Sequence, residues 1–167
     1  MSSFRGFVNK KFQLNLKDYH QLYSWSITNT EDFWESFWIF SNIISSESYT
    51  QICNDISKMP GAKWFSGAKL NFAENLLRYR DNSIAIKFYG EDHVYRELTY
   101  AQLYIEVEKF ATALKSIGVQ KGDRVVGFIP NMPEAIIAML ATSSIGAIWS
   151  SSSPDFGIKG VLDRFSQ

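Results

Sequence analysis

Between Arg124 and Ser150 the chain changes its hydrophobic period twice, and this constrains the fold more than any other feature. RVVGFIP is a short apolar run closed by Pro130, GAIWS is a second, and NMPEAIIAMLATSSIG lies between them. Short apolar runs bounded by Pro and Gly read as buried strands. The segment between reads as a helix capped by Asn131, with Pro133 tolerated in its first turn. Strand, short helix and strand joined this tightly make a right-handed βαβ unit with parallel strands. The helix is apolar nearly all round, with Ala135, Ala138 and Ala141 on one side and Ile136, Met139 and Leu140 on another, so it is expected to be covered from more than one direction. Parallel sheets are buried on both faces, and two strands do not make such a core alone. The expected fold class is therefore α/β, and incomplete: the first part of a larger domain.

The second strand runs into GAIWSSSSPDFGIKG, Gly146 to Gly160. Four serines at the carboxyl end of a parallel strand stand where α/β sheets gather ligands. A phosphate cradle needs clustered glycines whose amides converge, and neither GxGxxG nor GxxxxGK[ST] occurs in the chain. A nucleophilic serine needs a base, yet neither histidine is near in sequence and no GxSxG elbow is present. GIKG matches the GXXG clamp of RNA-binding KH modules in form only, without a basic face or the ββα order around it. The local reading is a loop in which Pro154 stops the strand and Asp155 or Gly157 starts the helix IKGVLDRF.

Upstream, SIAIKFYGEDHVYRELTY places Ile84, Ile86 and Phe88 in alternation, followed by a second extended run from Val94 to Leu98, which predicts a hairpin. In the following TYAQLYIEVEKFATALKSIG, Thr99 and Gln102 form a capping box, and Leu103, Val107, Phe110, Leu114 and Ile117 supply the expected buried face before Gly118 ends the helix. The first half is aromatic and helical in pattern. Thr28 and Glu31 suggest a capping box ahead of Phe33, Trp34, Phe37 and Trp38, an aromatic stripe that reads as packing against a larger body. Pro60, Gly61 and Gly67 interrupt the chain before AENLLRYR resumes a helix, and a boundary is expected in this stretch.

Composition removes several classes of function. With 17 basic and 17 acidic residues, the balance gives no electrostatic case for nucleic acid or an anionic membrane. One cysteine, Cys53, cannot form an internal disulfide, which fits a reducing compartment, and with only His20 and His93 beside it there is no zinc ligand set. No apolar run approaches the ~18 residues of a spanning helix. The first 17 residues carry four basic groups and no acid but lack a cleavage signal, so a cytoplasmic location is expected.

WFSGAKLNFAENLL (Trp64 to Leu77), LTYAQL (Leu98 to Leu103) and KGDRVVGFIPNMPEAIIAMLATSSIGAIWS (Lys121 to Ser150) resemble, in order and spacing, the N-terminal part of the acyl-CoA synthetases of the adenylate-forming superfamily. The ending IGAIWSSSSPDFGIKGVLDRFSQ is similar to the acetoacetate-activating branch, in which a serine/threonine run precedes Pro-Asp-Phe-Gly. The acetyl-CoA synthetases carry a glycine-and-phenylalanine loop there. The resemblance implies a helical N-terminal segment, residues 1–80, and the beginning of an AMP-binding domain, residues 81–167, with its first hairpin and βαβ unit. It implies an acid–CoA ligase of lipid and ketone-body metabolism that uses ATP, magnesium and CoA, with acetoacetate as the acid. The family's phosphate loop, nucleotide-binding motifs and catalytic lysine lie downstream, so no catalytic residue or metal ligand is expected in this stretch, nor tight binding of those ligands to it alone. By position, Ser153, Pro154, Asp155 and Phe156 correspond to the loop that borders the CoA channel in the acetyl-CoA relatives. Two other readings stand beside the inactive front part of a ligase. One is a short non-catalytic product that binds a partner through its exposed sheet and apolar helix. The other is an unrelated small α/β domain.

Overall fold

A computed structural model of the chain describes residues 1–166. The chain divides into two compact units, Met1–Leu70 and the residues from Asn71 onward. The division falls between Leu70 and Asn71, and the short helix that follows Leu70 buries its apolar side in the second unit.

The first unit holds three helices, α1 (Ser2–Phe12), α2 (Tyr19–Thr28) and α3 (Thr30–Phe40), and two short antiparallel strands, β1 (Gln51–Cys53) and β2 (Trp64–Ser66). Phe4 and Val8, one helical turn apart in α1, are buried with Leu22 of α2, and Phe7, Phe12, Leu16, Trp25 and Phe33 close around them. The basic opening segment is thus part of a core. Asp18 caps α2 by accepting from the Gln21 amide. The expected Thr28–Glu31 capping box does not form. Thr28 stays in the last turn of α2, its hydroxyl donating back to the Ser24 and Trp25 carbonyls, and Asn29 becomes the junction between α2 and α3. The aromatic stripe is divided between two sets of partners. Phe33 and Phe37 meet the Phe4 ring edge-on, while Trp38 lies against Phe65 with ring centroids 4.7 Å apart.

Glu35 ties this unit together. Lys11 Nζ lies 2.7 Å from its Oε2, and the Tyr49 hydroxyl donates to Oε1 at 3.2 Å. The Lys11 hydrogen bond, with the lysine's charge and Tyr49 behind it, holds the carboxyl below its ordinary range against an opposing effect of desolvation. A lowered folded value means a contribution that is present above the unfolded pKa of about 4.3 and lost as pH falls through the folded value. Glu35→Gln is expected to lower stability by up to about 1 kcal/mol at neutral pH. Denaturant midpoints of the two proteins should converge in acid, and a gap that persists there would show the pairing to be irrelevant.

The second unit contains α4 (Phe72–Leu76), the hairpin β3 (Ile84–Tyr89) and β4 (Tyr95–Thr99), α5 (Tyr100–Ser116), β5 (Arg124–Phe128), α6 (Pro133–Ser144), β6 (Ile148–Ser152) and α7 (Ile158–Phe165). The hairpin is antiparallel with a register shift between Ile84 and Ile86. Thr99 caps α5 with both arms of the capping box, and Gly118 follows the helix at φ +90°, where a side chain is disfavoured. β5, α6 and β6 form the βαβ unit, with Arg124 beside Ile148 and Phe128 beside Ser152 in a parallel pair. The core gathers Ala73, Leu77, Leu103, Val107, Leu114, Leu140 and Ala141.

Two local expectations are corrected in this unit. Asn131 does not cap α6; Met132 occupies that position without a side-chain bond, and the missing amide of Pro133 at the first helical position relieves the demand for a cap. The buried face of α5 passes through Ala111 rather than Phe110, and Phe110 and Ile117 are exposed. Asn71, in addition, has a role that spacing does not reveal: its side chain accepts from the Glu74 amide at the start of α4 and donates to the Ser143 and Ser144 carbonyls at the end of α6.

Candidate functional site

The carboxyl ends of β5 and β6 lie side by side, joined beyond the last pair by the Ile129 amide donating to the Ser152 carbonyl at 3.1 Å. Two loops leave the sheet here, one into α6 and one into α7. The approach is close because residue 127 is glycine. A Cβ at that position would come within 2.5 Å of the Trp149 indole, so the ring occupies the space a side chain would fill.

The serine run is mostly strand. Ser150, Ser151 and Ser152 belong to β6, and only Ser153 lies beyond its end. Ser152 is buried, its hydroxyl without a protein hydrogen-bond partner among the described residues. Ser153, Pro154, Asp155 and Phe156 form one tight turn. The Ser153 hydroxyl donates to Asp155 Oδ2 at 2.7 Å, and the Phe156 amide donates to the Ser153 carbonyl at 3.1 Å. The Arg164 guanidinium, from the last turn of α7, stands 4.2 Å from the centre of the Phe156 ring and fixes it by cation–π attraction. Gly157 then opens α7. The four predicted site residues, consecutive in the chain, therefore form one largely exposed turn.

Chemically this turn can offer hydroxyl and amide contacts. Its serine is paired with an exposed carboxylate rather than an imidazole, which gives no nucleophile–base relay. His93 sits in the 3-10 turn of the hairpin. Among the described residues, no three His, Cys, Asp or Glu side chains converge on a point where a metal could bind.

The family model described as AMP-binding enzyme matches residues 72–165, more than half of the chain. The chain belongs to the AMP-binding enzymes. The family's match covers nearly all of the second unit, and residues 19–76 match a model described as the acetyl-coenzyme A synthetase N-terminus. This AMP-binding enzyme chain is 46% identical to an acetoacetyl-CoA synthetase of Macaca fascicularis over all of its length, which is 25% of that protein. It is 44% identical to an acetoacetyl-coenzyme A synthetase of Rhizobium meliloti, again over its full length and 26% of the relative. A malonamoyl-CoA synthetase of Penicillium aethiopicum is 38% identical over 96% of the chain and 23% of that protein. The solved structure of an acetoacetyl-CoA synthetase from Streptomyces lividans matches with a TM-score of 0.90 and 36% identity, covering 99% of this chain and 26% of that one. The chain thus spans about a quarter of the length of the relatives it matches.

Proposed function

We propose that the chain serves as the amino-terminal part of an AMP-forming acid–CoA ligase whose acid is acetoacetate. The observation that carries this reading is identity of 46% to an acetoacetyl-CoA synthetase across the whole chain, through both units. In such a ligase the carboxylate attacks the α-phosphate of ATP to give an acyl-adenylate and pyrophosphate. The thiol of CoA then attacks the acyl carbon and AMP leaves. Magnesium, when bound, neutralises charge on the phosphates. Phosphate binding, metal binding and the catalytic lysine belong on this reading to the parts of the ligase beyond this quarter.

What this chain contributes is a wall. Ser153, Pro154, Asp155 and Phe156 would border the CoA channel, which their place at the carboxyl ends of β5 and β6 supports. A cytoplasmic setting suits a single unpaired, buried cysteine, and among the described residues no helix is long and apolar enough to cross a membrane. Alone, the chain is expected to adenylate nothing.

A chimera tests this. Residues 1–166 replace the matching quarter of the Rhizobium meliloti synthetase, and acetoacetate-dependent ATP–pyrophosphate exchange and thioester formation are measured. Activity of the chimera with acetoacetate, and none from the chain alone, is the expected result. A chimera that melts cooperatively yet prefers malonamate or acetate would sink the assignment of the acid. One that is folded and inactive with every short acid would sink the ligase reading.

A further inference from the structure

We propose that Arg164 is a positioning residue for the CoA step of the ligase reaction, acting through the Phe156 ring that it holds on α7. The proposal rests on the function proposed above, in which Phe156 borders the CoA channel. Phe156, Gly160 and Arg164 are spaced by four, so they follow one row along the helix. Glycine inside a helix is unfavourable, because it has the most backbone freedom to lose. Here a Cβ at residue 160 would already touch the ring, 3.4 Å from Phe156 Cδ1 and 3.5 Å from its Cβ. The missing side chain lets Phe156 lie close against α7. One turn further on, the Arg164 guanidinium stands 4.2 Å from the ring centre. That is well inside the roughly 6 Å over which a cation is attracted to an aromatic face.

Main chain and side chain of this turn are held by different groups. The Ser153 hydroxyl bonded to Asp155 and the Phe156 amide bonded to the Ser153 carbonyl hold the main chain. Neither bond constrains the Phe156 ring, which takes its direction from α7. A guanidinium suits this task because it is planar, delocalised and more weakly hydrated than an ammonium. Phe156 remains 41% exposed, an apolar plate just beyond the carboxyl end of β6. Such a plate fits the uncharged arm that carries the CoA thiol, an aliphatic and amide chain that must bring its sulfur to the acyl carbon. The adenylate forms before the thiol attacks, so a fault in this wall should spare the first step and weaken the second.

The test places Arg164→Gln, Arg164→Lys and Phe156→Leu in the chimera with the Rhizobium meliloti synthetase and measures the two steps separately. Arg164→Gln should raise the KM for CoA in thioester formation by roughly two- to fivefold, the effect of losing an exposed cation–π pair. Acetoacetate-dependent ATP–pyrophosphate exchange, which needs no CoA, should not change. Phe156→Leu should act in the same direction, and the double variant should do no more than the larger single one. Arg164→Lys keeps a cation and should recover part of the loss. Effects that add would mean that Arg164 touches CoA itself, and they overturn the proposal. So does an unchanged KM, or a fall in exchange equal to that in thioester formation; both leave the ligase reading intact. A folded chimera inactive in both steps defeats that reading and the proposal with it. Where the chimera does not fold, nuclear magnetic resonance of the isolated chain decides. The Phe156 ring should shift the Arg164 Hε resonance upfield, Phe156→Leu should remove the shift, and its absence overturns the proposal.

Discussion

Leu140→Ala is expected to destabilise the second unit by about 2–5 kcal/mol. Leu140 is 2% exposed and sits in the cluster that joins α6 to α5 and α4, beside Ala141, which is fully buried. Removing three heavy atoms forfeits their transfer from water and leaves a cavity that surrounding helices fill only in part. The unit has little to spare, since domains of this size are stable by roughly 5–15 kcal/mol and this one also leaves much apolar surface uncovered. Urea unfolding followed by circular dichroism reads the effect. Leu140→Met, which keeps the volume, should lose less than about 1.5 kcal/mol. Should the alanine variant lose no more than the methionine one, α6 is not the centre of this core.

Gly127→Val should cost about 1–3 kcal/mol through overpacking. The first carbon of any side chain there would lie 2.5 and 2.9 Å from two carbons of the Trp149 ring and 3.2 Å from the Ile129 side chain. Valine suits a strand better than glycine does, so the net loss measures how firmly the indole is held. The near-ultraviolet circular dichroism should change as the ring is displaced. Repeating the substitution in a Trp149→Ala background separates this clash from other causes. There the penalty should largely vanish; an undiminished one would place the strain elsewhere in β5.

Features set by neighbouring residues are legible in the sequence. The Thr99–Gln102 capping box, the hairpin and the βαβ unit all rest on local periods and caps, and they form as expected. The expected stripe of α5 errs by drift. Leu103, Val107, Phe110, Leu114 and Ile117 repeat every 3.5 residues, whereas a straight helix repeats every 3.6, so the buried line moves to Ala111 and leaves Phe110 exposed. Thr28 misleads because its hydroxyl serves equally well as a cap or bonded back within a helix. β1 and β2 give no local signal: each has three residues, and their pairing joins Gln51 to Ser66 across a long loop. At the candidate site, the serine run hides a strand because serine has little preference for strands. Only the register with β5 carries β6 as far as Ser152. The fit of Trp149 over Gly127 depends on that same register, so neither residue announces it.

Amide hydrogen exchange over residues 124–128 and 148–152, compared between the isolated chain and the covalent chimera, tests most directly whether this quarter-length chain is completed by the rest of a ligase. These strands pair with each other and, among the described residues, with no third strand. Their outward-facing amides should exchange rapidly in the isolated chain and gain at least roughly tenfold protection in the chimera, as local opening gives way to a sheet buried on both faces. Equal protection in the two proteins would contradict this: the two-stranded sheet would then be complete in itself.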